Sequence, residues 1–308
     1  MRKSRVCCVV AALAGLSAPA IAQDGLVIGV DDTAYGIQLY QNGAWSALPG
    51  TNVQVWGLAS DNTGETLYIA SSANTLYKWT EAVGLETVAT FSYQGATVNF
   101  VSLAFHNGRL YGTRNITTEG VYEISPLTAE ATLLWAYPTA FDIGGIDFDE
   151  ATGKLYGTND ATSAGSGSGL YEIDVNAQTM TKIADYPNIV AGANDIDGLA
   201  IGNGKAYLVP DEPGSLGVFD LATMTYESPI ANPWTTGEVF SGAAFASFLV
   251  ETSCYADCDG SGALNIFDYI CFGNEYAAGT SYADCDGSGS LNIFDYICFG
   301  NAYAAGCP

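Results

Sequence analysis

Between residues 25 and 250 the chain alternates short apolar runs with polar turns, and four kinds of run recur in a fixed order. The first kind is rich in small residues: WGLASD (56–61), VSLAFH (101–106), GIDFDE (145–150), GLAIG (198–202) and SGAAFA (241–246). A second follows about ten residues later: LYIASS, LYGTRN, LYGTND and AYLVPD. TLYKWT, GVYEIS, GLYEID and LGVFD make the third, and ETVATF, ATLLWAY, TMTKIADY and a weaker TYESPI the fourth. Each run is short, aromatic or β-branched, and bounded by Gly, Asn, Asp or Pro, so each predicts a strand. Taking Gly57, Ser102, Gly145, Gly198 and Gly242 as equivalent, the spacings are 45, 43, 53 and 44. The longest interval carries the Gly/Ser-rich insert 161–169, a loop by composition.

Four strands repeating every 40 to 50 residues predict the blades of a β-propeller. LVIGVDD, YGIQLYQ and AWSAL (25–48) match the second, third and fourth strands and lack a first. SGAAFASF is a first strand with no successors. The two ends therefore complete one blade between them, which closes a ring of five and removes exposed sheet edges. Small residues in the first strand fit a narrow central channel where five strands converge.

Past residue 250 the pattern changes. DCDGSGALNIFD (Asp257–Asp268) returns 27 residues later as DCDGSGSLNIFD (Asp284–Asp295), each followed by a run of helical length. Acids at positions 1, 3 and 12 with Gly at 6 make the pattern of an EF-hand calcium loop. The ligand positions are Asp257, Asp259, Ser261, Ala263 (through its carbonyl), Asn265 and Asp268. In the second loop they are Asp284, Asp286, Ser288, Ser290, Asn292 and Asp295. Two calcium ions are expected. Three carboxylates per loop predict weaker binding than in a four-carboxylate sensor loop.

Asp at position 12 and loop–helix units without an entering helix resemble the dockerin module. Within that family the tail resembles the GC-type dockerins, which end as Gly306-Cys307 does here. The resemblance covers about 55 residues and implies a small helical domain that folds with calcium. It also implies attachment to a partner, usually a cohesin, on a surface or scaffold. Positions 10 and 11 of each loop are the family's recognition positions, here Ile266-Phe267 and Ile293-Phe294. One residue of each pair is expected to pack the module's own core. The blade sequences resemble secreted propeller repeats of the YVTN and NHL type in general texture.

Six cysteines lie in the tail: Cys254, Cys258, Cys271, Cys285, Cys298 and Cys307. Cys258 matches Cys285 and Cys271 matches Cys298, both offset by 27. Cys254 and Cys307 have no repeat mates and bracket the module, so they are paired as a clasp. That leaves Cys258–Cys271 with Cys285–Cys298, or the crossed set Cys258–Cys298 with Cys271–Cys285.

Composition narrows the setting. The chain has 308 residues, 48% hydrophobic and only 14% charged, with 36 Gly and 19 Tyr, which suits an all-β extracellular protein. Residues 1–22 read as a secretory signal, with basic Arg2, Lys3 and Arg5, an apolar run, and an Ala20-Ile21-Ala22 cleavage site. The apolar run is too short to span a bilayer. The expected domains are thus 1–22, a propeller over 23–250 and the calcium module over 251–308. Losing three positive charges with the signal takes the formal charge from −24 to −27. Nucleic acid is excluded as a partner by sign.

In the propeller, Asp142, Asp195 and Glu238 precede first strands. Those loops meet at one mouth of the ring and could bind an unknown ligand there. Two carboxylates across an open cleft would instead mark a carbohydrate-active hydrolase. The single histidine, His106, is read as a strand-end residue. Asp147 and Asp149 are read as stabilisers of the turn near Thr152-Gly153. The function expected overall is a secreted or surface-held, non-catalytic platform attached through the calcium module to a cohesin-like or other envelope protein.

Overall fold

The structure is a computed structural model that describes residues 25–32, 36–114, 116–162, 167–187, 195–211, 213–235, 237–250, 254–261 and 263–306. The signal reading falls on residues outside this set. The chain divides into two compact units between Leu249 and Val250.

The first unit is a five-bladed β-propeller. Three strands near the start, β1 (Leu26–Asp32), β2 (Gly36–Gln41) and β3 (Ala44–Ala47), await an inner partner. The first full blade is β4 (Gly57–Asp61), β5 (Thr66–Ala70), β6 (Thr75–Thr80) and β7 (Gly84–Thr90). A hairpin follows, β8 (Ser92–Tyr93) and β9 (Ala96–Thr97). The second blade is β10 (Ser102–His106), β11 (Arg109–Arg114), β12 (Gly120–Ile124) and β13 (Glu130–Trp135). The third is β14 (Ile143–Asp149), β15 (Lys154–Asn159), β16 (Gly169–Asp174) and β17 (Thr179–Ala184). The fourth has β18 (Gly198–Gly202), β19 (Lys205–Val209) and β20 (Ser215–Asp220), with short β21 (Thr225–Tyr226) and β22 (Ile230–Ala231) both on β20.

The ring closes as expected. β23 (Val239–Phe245) pairs antiparallel with β1, Leu26 opposite Phe245 and Ile28 opposite Ala243, giving the order β23-β1-β2-β3. The inner strands β4, β10, β14, β18 and β23 each touch the next around the circle. Apolar clusters fill the spaces between neighbouring blades. One joins Ala59 and Leu76 of the first blade to Leu103 and Tyr122 of the second.

Small residues allow the inner strands to meet. A Cβ on Gly242 would stand 2.5 Å from Leu58 N and 2.7 Å from Gly57 C. One on Gly145 would stand 2.6 Å from Leu199 N. The strands converge more tightly than the expected channel requires. The axial gap beside Leu58, Leu103, Ile146 and Leu199 has no room for a water molecule.

The β8–β9 hairpin, which the strand pattern does not announce, adds to the outer edge of the second blade through a parallel pairing of β8 with β13. Its turn, Gln94-Gly95, places both residues at positive φ (52° and 81°). Gln is an unusual choice there, so the usual Asn-Gly signal is missing.

Asp147 is also corrected. Asp149 does cap the turn, accepting from Ala151 N (3.1 Å) and Thr152 Oγ1 (2.5 Å). Asp147 instead lies buried, accepting from Phe148 N (2.8 Å) and from Ile201 N of the fourth blade (2.7 Å). Burial pushes its carboxyl well above the usual carboxylate range. The inner strands of the other blades place Ala at the matching position, and Asp147 ties two blades together through the Ile201 amide.

The second unit holds two helices, α1 (Ile266–Ala278) and α2 (Ile293–Ala305). Phe272 and Phe299 stack at 4.2 Å in its core, both fully buried with Ala283. Tyr269 meets Tyr303 and Tyr276 meets Tyr296, so the helices run antiparallel. Tyr255 and Tyr282 each donate a hydroxyl to the other's carbonyl. Each contact has a mate 27 residues on, the mark of a local two-fold axis.

Candidate functional site

The two acidic loops close on themselves. Asp257, Asp259 and Asp268 bring one carboxylate oxygen each to within 4.8 Å of the others, and so do Asp284, Asp286 and Asp295. Asp268 and Asp295 are fully buried. The first accepts from Asn265 N at 2.7 Å and the second from Asn292 N at 2.7 Å. These bonds belong to the capping boxes that start α1 and α2. The residue that opens each helix is thereby fixed beside the acids of its loop.

Serine hydrogen bonds fold each loop. Ser261 N donates to Asp257 Oδ1 and to Asp259 Oδ1, both at 3.0 Å, which folds the loop around its first two acids. The Ala263 carbonyl accepts from Ser261 Oγ at 3.3 Å. Ser288 repeats the pattern, donating to Asp286 Oδ1 (3.0 Å) and to the Ser290 carbonyl (3.2 Å). Hydrogen bonds from Ser261 and Ser288 hold Asp259 and Asp286 below the ordinary carboxylate range. Gly289, at position 6, has φ 76°, the left-handed turn the motif requires. Gly262 lies outside the described residues.

The side chains of Asn265 and Asn292, expected among the ligands, serve here as helix caps. Their Oδ1 atoms accept from Phe267 N and Phe294 N at 2.8 Å, and their amide nitrogens donate to the Ala263 and Ser290 carbonyls. Position 9 of such loops commonly reaches its ion through water.

The donor set suits a hard cation. Asp284 Oδ1 is buried and accepts no hydrogen bond, an arrangement that costs free energy unless a cation or water fills it. In each loop three carboxylates converge, and a serine hydroxyl bonded to a backbone carbonyl adds further oxygens to the same loop. An all-oxygen donor set favours a hard cation over zinc.

Two bridges pin the loops to their helices, Cys258–Cys271 and Cys285–Cys298. They are the within-repeat pair, and the crossed alternative does not form. Cys254 is also disulfide-bonded. Its expected mate Cys307 lies outside the described residues.

All four residues expected at the recognition positions are exposed: Ile266 and Ile293 at 65%, Phe267 and Phe294 at 63%. The expectation that one of each pair packs the core is corrected. Ile270 and Ile297, one turn on, are exposed at 52% and extend each patch. The core is instead filled by aromatic residues further along each helix, Phe272 and Phe299.

In the propeller the three expected ligand-site acids do not form one group. Asp195 joins Asp160 and Asp197, with one oxygen of each within 4.8 Å of the others. Asp160 Oδ1 accepts from Ile196 N at 3.1 Å, and burial pushes its carboxyl up to about 8. Glu238 is buried and turned into its own loop, taking Thr235 N (2.9 Å) and Gly237 N (3.1 Å). Asp142 is exposed, and its backbone bonds to Asn159 and Asp160. Asp160 was missed because it ends a second strand rather than preceding a first.

No protein-family model matches the chain, and no curated protein matches it. Among solved structures it is similar to a chain of a nidogen/laminin complex, at 11% identity and TM-score 0.49, covering 72% of this chain and 97% of that one. It is also similar to a structural-genomics protein of unknown function from Bacteroides thetaiotaomicron, at 12% identity and TM-score 0.49. That match covers 67% of this chain and 55% of the other. Among the described residues no helix is long and apolar enough to cross a membrane.

Proposed function

We propose that the protein is a secreted or surface-displayed, non-catalytic binding platform, attached to its partner by a calcium-dependent, dockerin-like module. The observation that carries the reading is the pair of loops. Each gathers three carboxylates within 4.8 Å, one of them fully buried at the start of the following helix. Two calcium ions would be held by Asp257, Asp259, Ser261, the Ala263 carbonyl and Asp268, and by Asp284, Asp286, Ser288, the Ser290 carbonyl and Asp295. Asn265 and Asn292 would contribute through water. Bound cations offset the repulsion among the acids, so the metal free energy becomes folding free energy.

The capping boxes couple the loops to the partner surface. Ile266 and Phe267 directly follow cap Asn265, so ordering the loop also fixes the exposed apolar pair. Contiguous exposed apolar groups of this kind mark interaction sites. A cohesin-like or other envelope protein is the partner this surface would take. At the expected mouth acids the hydrolase alternative gains no support: Asp195 packs with Asp197 and the mostly buried Asp160 rather than facing a partner across an open cleft.

The test is capture of an envelope partner by the full chain, in calcium and in chelator. Capture in calcium alone, lost in the Phe267→Ala/Phe294→Ala variant, is the expected result. Capture that survives chelator and the double substitution would refute the reading.

A further inference from the structure

We propose a second, separate binding site: a cleft between the second and third blades that takes an uncharged oligosaccharide. The cavity is about 640 Å³, within the ordinary range for small-molecule sites. Its apolar part is formed by Tyr111, Leu134 and Phe148. Its polar part is formed by Glu123, Lys154 and Glu172, and by Asn176 and Gln178 of the β16–β17 turn.

The cleft has a local cause. The propeller repeats an aromatic contact between blades, a Tyr on the second strand of one blade against a Phe on the first strand of the next. Tyr68 lies flat on Phe105, with the ring planes 13° apart, and Tyr207 lies flat on Phe245, at 14°. Between the second and third blades His106 takes that place, stacked on Phe148 with ring centroids 4.6 Å apart and planes at 15°. Tyr111 is turned edge-on to Phe148, at 61°. His106 is fixed from both sides, Nδ1 on Glu150 Oε1 at 3.1 Å and Nε2 on Asn107 Nδ2 at 2.8 Å. The ring that would have sealed the seam therefore stands at its side.

Charge selects the ligand class. The chain carries a formal charge of −24, which disfavours an anion. Carboxylates on the cleft walls are already engaged: Glu123 with Arg109 at 2.6 Å, Glu172 with Lys154 at 2.8 Å. Asp174 accepts from Ala177 N at 2.8 Å. A cationic ligand would have to compete with both ion pairs. What remains on offer is fixed carboxylate oxygens, two amides and an aromatic–aliphatic floor. That combination matches a sugar, whose hydroxyl edge takes paired acids and amides while its C–H face packs on apolar groups. Asp160, Asp195 and Asp197 play no part in this site.

The experiment is isothermal titration of the full chain with neutral tetrasaccharides (cellotetraose, xylotetraose, laminaritetraose, maltotetraose), up to about 10 mM. Oligogalacturonate and oligochitosan serve as charged controls. At least one neutral sugar binds, and no charged control binds better. Affinity falls roughly tenfold or more in Asn176→Ala/Gln178→Gly, which alters only an exposed turn. It also falls in His106→Ala, where Tyr111 can lie flat on Phe148. Melting curves confirm that the turn variant keeps its fold. No heat with any neutral sugar, preference for a charged one, or unchanged affinity in the turn variant would overturn the proposal.

Discussion

Replacing Gly242 by Ala tests the packing at the propeller axis. The added Cβ would meet only backbone: Leu58 N at 2.5 Å, Gly57 C at 2.7 Å and Gly57 Cα at 2.9 Å. No side chain can swing aside, so β23 must move away from β4. That movement loosens the strand that also closes the ring through β1. Overpacking of a core costs about 1–3 kcal/mol, and a backbone contact puts this case at about 3 kcal/mol or above. For a unit of this size, that lowers the melting temperature by roughly 6–12 °C. Ser241→Ala, next in the strand, is the control. It removes one 2.9 Å hydrogen bond to the Trp56 carbonyl and should cost about 1 kcal/mol. Calorimetry of both variants reads the difference. A Gly242→Ala protein that melts within the range of Ser241→Ala would show that the inner strands do not meet as described.

Other expectations follow from single groups. Burial, with Asp32 beside it, raises the Asp31 carboxyl to about 6. A raised carboxyl adds stability that is full below about pH 4 and lost as pH rises through 6. Urea melts at pH 4.5 and 7 should therefore show a pH-dependent loss that is smaller in Asp31→Asn. The group is half exposed, so the change is on the order of 1 kcal/mol. An Asp31→Asn protein with the parent's pH slope would refute this. Removing one bridge with Cys258→Ala/Cys271→Ala frees a loop closed over a sequence separation of 13. It should destabilise the second unit by about 3 kcal/mol and raise its calcium requirement, as read by circular dichroism across a calcium titration. An unchanged calcium midpoint would contradict the coupling of bridge and loop.

The architecture was legible because it repeats. Gly57, Ser102, Gly145, Gly198 and Gly242 set the period, and the unmatched strands at the two ends announced the closure of β23 on β1. The 27-residue offset in the tail likewise narrowed the four repeated cysteines to two sets, of which Cys258–Cys271 with Cys285–Cys298 is the one that forms. What escaped were features that break the repeat. Asp147 stands where sister strands carry Ala, and only the neighbouring blade supplies its Ile201 partner. The Gln94-Gly95 turn lacks the common Asn, so the β8–β9 hairpin left little trace. Glu238 was placed at the mouth by its position in the chain, but three donors of its own loop turn it inward. The exposure of both Ile–Phe pairs was hidden because pattern alone cannot tell a small core from an interface. Here the core is supplied by Phe272 and Phe299, later in each helix.

The central claim is that two acidic loops each hold a calcium ion. Isothermal titration of calcium into metal-stripped full-length protein tests it most directly, with Asp257→Asn/Asp268→Asn and Asp284→Asn/Asp295→Asn as variants. Asn keeps a side-chain acceptor for the helix cap, so each pair removes charge from one loop. The account predicts two ions bound in the parent and one in either variant, with helix content rising as calcium is added. A parent that binds no calcium, or variants that bind as many ions as the parent, would contradict it.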